Sequence, residues 1–166
     1  ILIEDLFVEI PEQRLQQAKS CSQVLDTAVY DKFPLVDGMQ PMHSDLTELV
    51  LNRTWRPALS ITGVDGMPSL ANAGNVLRPH TAVKLSLRLP PTLDPKKASE
   101  ILQRVLTENP PYKAKVSFEV EKSSTGWNAP LLAPWLENSI DGASQAFYGA
   151  PAMYMGEGGT IPFMGM

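Results

Sequence analysis

Arg88 closes the longest alternating stretch of the chain, with Lys84 and Ser86 ahead of it on the same polar side. A guanidinium is planar, always charged, and grips a carboxylate with two parallel N–H bonds. The second candidate for chemistry is the run Gly156-Glu157-Gly158-Gly159-Thr160. It lacks the Gly-Lys-Ser/Thr of a phosphate-binding loop. Glycines still let successive backbone N–H groups face an anion, and a helix starting after such a turn would favour negative charge further. Both features suit a carboxylate or an oxyanion. A solvated arginine and an ordinary strand-to-helix turn are the plain alternatives. The loop from Asn72 to Pro79 could place Asn75 near Arg88.

Metal chemistry has no motif here. His43 and His80 both lie in proline-flanked loop sequence, outside any ligand-spaced pattern, and no cysteine pair exists. No complete zinc site is expected within the chain. Cys21 is the single cysteine, so it cannot form an internal disulfide. It reads as a small helix residue in a reducing compartment.

The elements that must position these groups follow from periodicity. Ala58 to Val64 alternates and predicts a strand, and Gly63, Gly66, Pro68 and Gly74 mark a loop over 65–80. Thr81 to Leu89 predicts a second strand, with Val83, Leu85, Leu87 and Leu89 on one side. Pro90-Pro91 ends it. Asp94 as N-cap and Pro95 at the first helical position open a helix. Ala98, Ile101, Leu102, Val105 and Leu106 give that helix its apolar stripe. Lys115 to Glu121 alternates again and predicts a third strand.

The resulting β-β-α-β unit is most of a split β-α-β sandwich, with one strand and one helix missing upstream. Around it, residues 1–10 read as an extended strand. Pro11 to Leu25 reads as a helix, as does a short stretch after Ser44-Asp45. Pro130 to Tyr148 predicts a further helix, broken by Gly149-Ala150-Pro151, and Ala152 to Met155 a short buried strand. The fold class is therefore α+β. The division is 1–56, 57–124 and 125–166.

Composition narrows the function classes. The chain has 166 residues, 43% hydrophobic and 19% charged, which is ordinary for a globular domain. A net charge of −4 argues against a nucleic-acid partner, which would need a basic patch. Every apolar run falls well short of the roughly 18 residues of a membrane span. No basic segment precedes an apolar one at the start, so no signal peptide is expected and the cytoplasm is the expected compartment. Ile1 in place of Met, and the apolar ending Ile161 to Met166, suggest a piece cut from a longer chain.

The order of these segments resembles a known family. Pro57 to Gly66 (PALSITGVDG), Gly74-Asn75-Val76-Leu77-Arg78-Pro79, Leu85-Ser86-Leu87-Arg88-Leu89 and Glu157-Gly158-Gly159-Thr160-Ile161-Pro162 are similar to the lid, or dimerisation, domain of M20 metallopeptidases. The branch is that of the cytosolic non-specific dipeptidases and carnosinases. The last segment looks like the turn that returns the chain to the catalytic domain. The resemblance covers nearly the whole chain and is weakest over 11–45.

The resemblance implies a partial ferredoxin-like lid followed by a helix-strand piece of an α/β zinc-peptidase domain. It implies that Arg88 grips the substrate's C-terminal carboxylate and that Asn75 binds substrate in a neighbouring active site. Gly159 and Thr160 would touch the bound substrate. It implies a peptide or dipeptide substrate, a homodimer formed through the lid, and two zinc ions per active site in the parent protein.

The departures from the family pattern are definite. The family's H-x-D motif, bridging Asp, Glu-Glu pair and late His, which carry its zinc ions, have no counterpart in this sequence. Glu157 is not the general base, which belongs to that pair. The lid histidine would precede Ile1. The position of a further family histidine falls around Lys122, where this sequence has no His. The chain is expected to be inactive alone, supplying clamp and dimer surface. A non-catalytic dimerisation or binding module of the same fold is the alternative, and an unrelated anion-binding domain the weaker third reading.

Overall fold

A computed structural model describes residues 2–158 and 164. Four α-helices and one antiparallel hairpin make up the regular structure of these residues. They are α1 (Glu12–Leu25), α2 (Leu46–Thr54), β1 (Ala58–Asp65), β2 (Ala82–Arg88), α3 (Pro95–Thr107) and α4 (Pro134–Tyr148).

The helix starts follow local chemistry. At α2 the Asp45 carboxylate accepts from the Thr47 backbone N–H at 2.8 Å. At α3 the Asp94 carboxylate accepts from Lys96 N–H at 2.8 Å, with Pro95 at the first helical position. Each such contact satisfies one of the four N–H groups a helix start leaves free. α4 ends on Gly149, which is left-handed and donates its N–H to the Gln145 carbonyl at 3.0 Å.

Two apolar clusters hold the chain together. Ala18 of α1, Val29, and Val50, Leu51 and Trp55 at α2 form the first. Ser22 adds a buried polar tie, its hydroxyl 3.0 Å from that of Thr47. Leu6, Leu93, and Ala98 and Ile101 of α3 form the second, and Leu87 and Leu89 pack against it from the β2 side. Val8 touches both clusters. Pro90, fully buried, fixes the exit of β2.

The hairpin pairs Ala58 with Arg88 at one end and Asp65 with Ala82 at the other. The register slips between Ile61 and Gly63, and the Thr62 hydroxyl donates to the Lys84 carbonyl at 3.2 Å. Leu59 and Ile61 face Leu87 and Leu85 across the pair, so one side of the hairpin is apolar. Leu87 is half-buried, whereas Leu59, Ile61, Val64 and Val83 are exposed.

Three expected strands do not form. Residues 115–121 lie outside any ladder, with Val116 and Val120 exposed. Alternation makes a strand only where a neighbouring backbone takes up its N–H and C=O groups. β2 pairs with β1, and among the described residues nothing pairs with 115–121. One side-chain link reaches this segment: Lys84 Nζ lies 2.5 Å from Glu121 Oε2. Within the expected strand 1–10, the described residues hold a short 3₁₀ turn, Glu4–Leu6, that lowers Leu6 into the α3 cluster. Residues 152–155 also join no sheet; the Ala152 N–H donates to the Asp141 carboxylate at 3.0 Å, and Met153 and Met155 are exposed. The sandwich is thus present as β-β-α.

Leu51→Ala should cost about 2–5 kcal/mol, since Leu51 is 2% exposed, while Leu77→Ala at 101% exposure should leave unfolding unchanged. Chemical denaturation of both variants checks the contrast. A second prediction concerns Glu48, which lies 2.5 Å from Arg56. The hydrogen bond from Arg56 holds its carboxyl below the usual carboxylate range. A lowered folded-state pKa contributes stability above the unfolded value and loses it as pH falls through the folded one. Glu48→Gln should therefore cost up to about 1 kcal/mol at neutral pH and nothing at a pH below the carboxylate range, read from denaturation midpoints.

Candidate carboxylate-binding site

β2 alternates, so the residues flanking half-buried Leu87 project to the opposite, polar side. Lys84, Ser86 and Arg88 line that side. Lys84 is engaged by Glu121, whose carboxyl it holds below its ordinary range. Arg88 makes no ion pair among the described residues and is exposed. Its Nη1 lies 3.5 Å from the point a methyl on Gly158 would occupy.

The turn at 156–158 is held against the last turn of α2. A side chain at Gly158 would strike the Arg53 carbonyl oxygen. One at Gly156 would meet the Thr54 side chain at 3.3 Å. Close approach, more than conformational freedom, is what glycine supplies here. The Glu157 carboxylate accepts from the Gly158 N–H at 3.2 Å and stands 3.7 Å from Arg53 Nη2. The end of α2, the end of β2 and the glycine turn thus converge. Arg88 and the start of the glycine run, separate in sequence, meet in space. Gly159 and Thr160 lie outside the described residues.

Asn75 is not part of this cluster. It belongs to the loop joining Asp65 to Ala82, at the end of the hairpin opposite Arg88. The length of β2 alone puts about 20 Å between the two ends. Residues 67–82 are exposed throughout, so the loop does not fold back over the strands. The expectation that this loop brings Asn75 to Arg88 within one chain is corrected by the direction of the strands. The loop is fixed at its base instead. Gly66 has a positive φ of 76°, and a side chain there would strike the His80 carbonyl. His80 Nε2 lies 3.5 Å from Asp65 Oδ2. The Gly66 N–H, then His80, hold the Asp65 carboxyl below its ordinary range.

Among the described residues no group of three or more His, Cys, Asp or Glu converges where a metal could bind. The donors zinc requires are therefore not assembled by them. Cys21 is buried and unpaired, and burial pushes its thiol up, away from the reactive thiolate. No helix of the described residues is long and apolar enough to cross a membrane. Arg53 is the site residue that sequence reasoning missed. It lies in Asn52-Arg53-Thr54-Trp55-Arg56, and only the turn of α2 decides that Arg56 faces Glu48 while Arg53 faces Glu157.

The sequence profile of the M20 peptidase dimerisation domain matches residues 5–114, well over half the chain. The chain belongs to the M20 peptidase dimerisation-domain family. No curated protein sequence matches it significantly. Its fold is similar to that of Dug1p, a di-peptidase from Saccharomyces cerevisiae, at 22% identity and a TM-score of 0.64. That likeness covers 98% of this chain and 33% of Dug1p. Human carnosine dipeptidase 1 is similar at 20% identity and a TM-score of 0.62, over 97% of this chain and 34% of that one. The M20 family metallo-carboxypeptidase Sso-CP2 from Sulfolobus solfataricus gives 16% identity and 0.58, over 96% and 35%. At such identities the likeness establishes the fold alone. This M20 chain spans about a third of the length of each of these structures.

Gly158→Ala should push the 156–158 turn off α2, because the Arg53 carbonyl is backbone and cannot swing aside. The expected result is a loss of about 1–3 kcal/mol, the usual cost of overpacking a tight contact. Faster amide exchange at 53–54 and 156–158 would locate it; unchanged exchange would refute the close packing.

Proposed function

We propose that this chain supplies the substrate-carboxylate clamp and the dimer surface of a binuclear-zinc M20 dipeptidase or related amidohydrolase. The observation that carries the reading is the Arg88 guanidinium beside the Gly158 turn, without an ion-pair partner among the described residues. A guanidinium with no internal carboxylate partner is a matched receptor for a planar ligand carboxylate. The substrate class follows from that chemistry: a peptide or dipeptide with a free C-terminus. Gly159 and Thr160, next in sequence, would line the substrate.

Asn75 cannot join its own Arg88, so it would complete the site of a second copy. The exposed hairpin residues Leu59, Ile61, Val64 and Val83, with Leu70, Val76 and Leu77 in the loop, give that copy an apolar surface to cover. A homodimer is the reading this supports, in keeping with a family of dimerisation domains.

Zinc ligands and the proton-shuttling carboxylate would come from the catalytic domain of the parent protein. Bound there, the two metal ions would activate the attacking water. The residues of this chain would bind and orient the substrate. In this reading 57–124 is the lid, a partial ferredoxin-like sandwich in which 115–121 would become a strand only on gaining a neighbour. Residues 1–56 adjoin it, and 125–166 begin the return to the catalytic domain. The buried free thiol of Cys21 favours the cytoplasm.

In the full-length protein, Arg88→Ala should lower kcat/KM for a free dipeptide by roughly 10- to 100-fold, the scale of a charge-assisted hydrogen-bonded pair. For the same dipeptide amidated at its C-terminus the effect should be small. Equal losses on both substrates would sink the clamp. Mixing Asn75→Ala and Arg88→Ala subunits tests the shared site. A hybrid dimer holds one intact site and one doubly damaged, so activity should reappear above that of either parent variant. A full-length protein that is folded and dimeric, yet binds no zinc, would favour the non-catalytic module.

A further inference from the structure

The glycine turn carries its own carboxylate, and that carboxylate is a competitor for the clamp. Glu157 is the residue before Gly158, and Gly158 is the neighbour of the Arg88 guanidinium. A flexible glutamate so placed could pair with Arg88 and close the receptor to any ligand carboxylate. In the structure it does not. Its Oε1 is turned to Arg53 Nη2 at 3.7 Å and accepts the Gly158 N–H at 3.2 Å. Arg88 is left without an ion-pair partner among the described residues.

Resting on the reading of Arg88 as the carboxylate clamp, we propose that Arg53 is a positioning residue that holds Glu157 away from Arg88 and so keeps the clamp open for substrate. The geometry supports the division of labour. Arg53 lies in the last turn of α2, and its own carbonyl packs on Gly158, so the guanidinium and the turn share one anchor. A second close approach, of Gly156 to the Thr54 side chain, sets the turn against the same end of the helix. With the position of the turn fixed, the choice left to Glu157 is which arginine it faces. Neutralising Arg53 removes one of the two cations and leaves Arg88 as the partner.

The test uses the full-length protein and a dipeptide with a free C-terminal carboxylate. Arg53→Gln should raise KM, and the Kd of a non-hydrolysable analogue, by roughly two- to fivefold, the scale of one exposed ion pair. The value of kcat should be unchanged. The double variant Arg53→Gln/Glu157→Gln should return KM and Kd to the parent values, because the competing carboxylate has gone as well. A merely structural role for Arg53 would not be rescued by removing a second polar group. An unchanged KM in Arg53→Gln, or a raised KM that persists in the double variant, would overturn the proposal. Arg88→Ala keeps the two readings apart. If it leaves KM and Kd unchanged, the clamp itself fails. If it raises them while Arg53→Gln does not, only the role of Arg53 falls.

Discussion

Successive side chains of a strand leave on opposite sides, and β2 depends on that constraint at both ends of its function. One side of the strand presents Leu87, followed by Leu89, to the cluster of Leu6, Leu93, Ala98 and Ile101. That burial, with Pro90 locked beneath it, fixes where the strand ends. The other side presents Lys84, Ser86 and Arg88. Because Leu87 is anchored, Arg88 has no choice of direction, and its guanidinium meets the glycine turn. A slip of one residue in register would exchange the two sides, burying an arginine and exposing two leucines.

The same strand divides the chain's electrostatics. Lys84 and Arg88 share a side, yet Glu121 engages the first and leaves the second free. Glu157, the other acid near this end of the sheet, is turned to Arg53. Glu121 and Glu157 therefore offset cations other than Arg88. The clamp role proposed for Arg88 would need this arrangement, since an internal partner would compete with each ligand molecule at very high effective concentration.

Along its length the hairpin carries apolar residues into solvent. Leu59, Ile61, Val64 and Val83 lie on the side that α3 covers only in part, and Leu70 and Leu77 are open on the loop. Surfaces of this kind call for a protein partner. The loop is pinned by Gly66, His80 and Asp65 at its base and otherwise free of the strands, the form expected of a segment that reaches outward. Asn75 rides on it.

Much of this was legible in the sequence. The cap at Asp94, the alternation of 82–88 and the stripe of α3 were legible as local patterns. Arg88 and the glycine run could be singled out by type, since guanidinium and glycine chemistry do not depend on the fold. Strand formation at 115–121 could not be decided this way, because a ladder needs a neighbour that alternation does not guarantee. The direction of the hairpin, which separates Asn75 from Arg88, is a property of pairing. The meeting of Arg53, Glu157 and Arg88 spans three distant segments, brought together by the packing of a turn on the end of a helix. The sequence by itself determined the kinds of groups available and the elements that carry them; the tertiary structure alone decided which charges pair and which one stays free, because that depends on distances between segments that no local pattern sets.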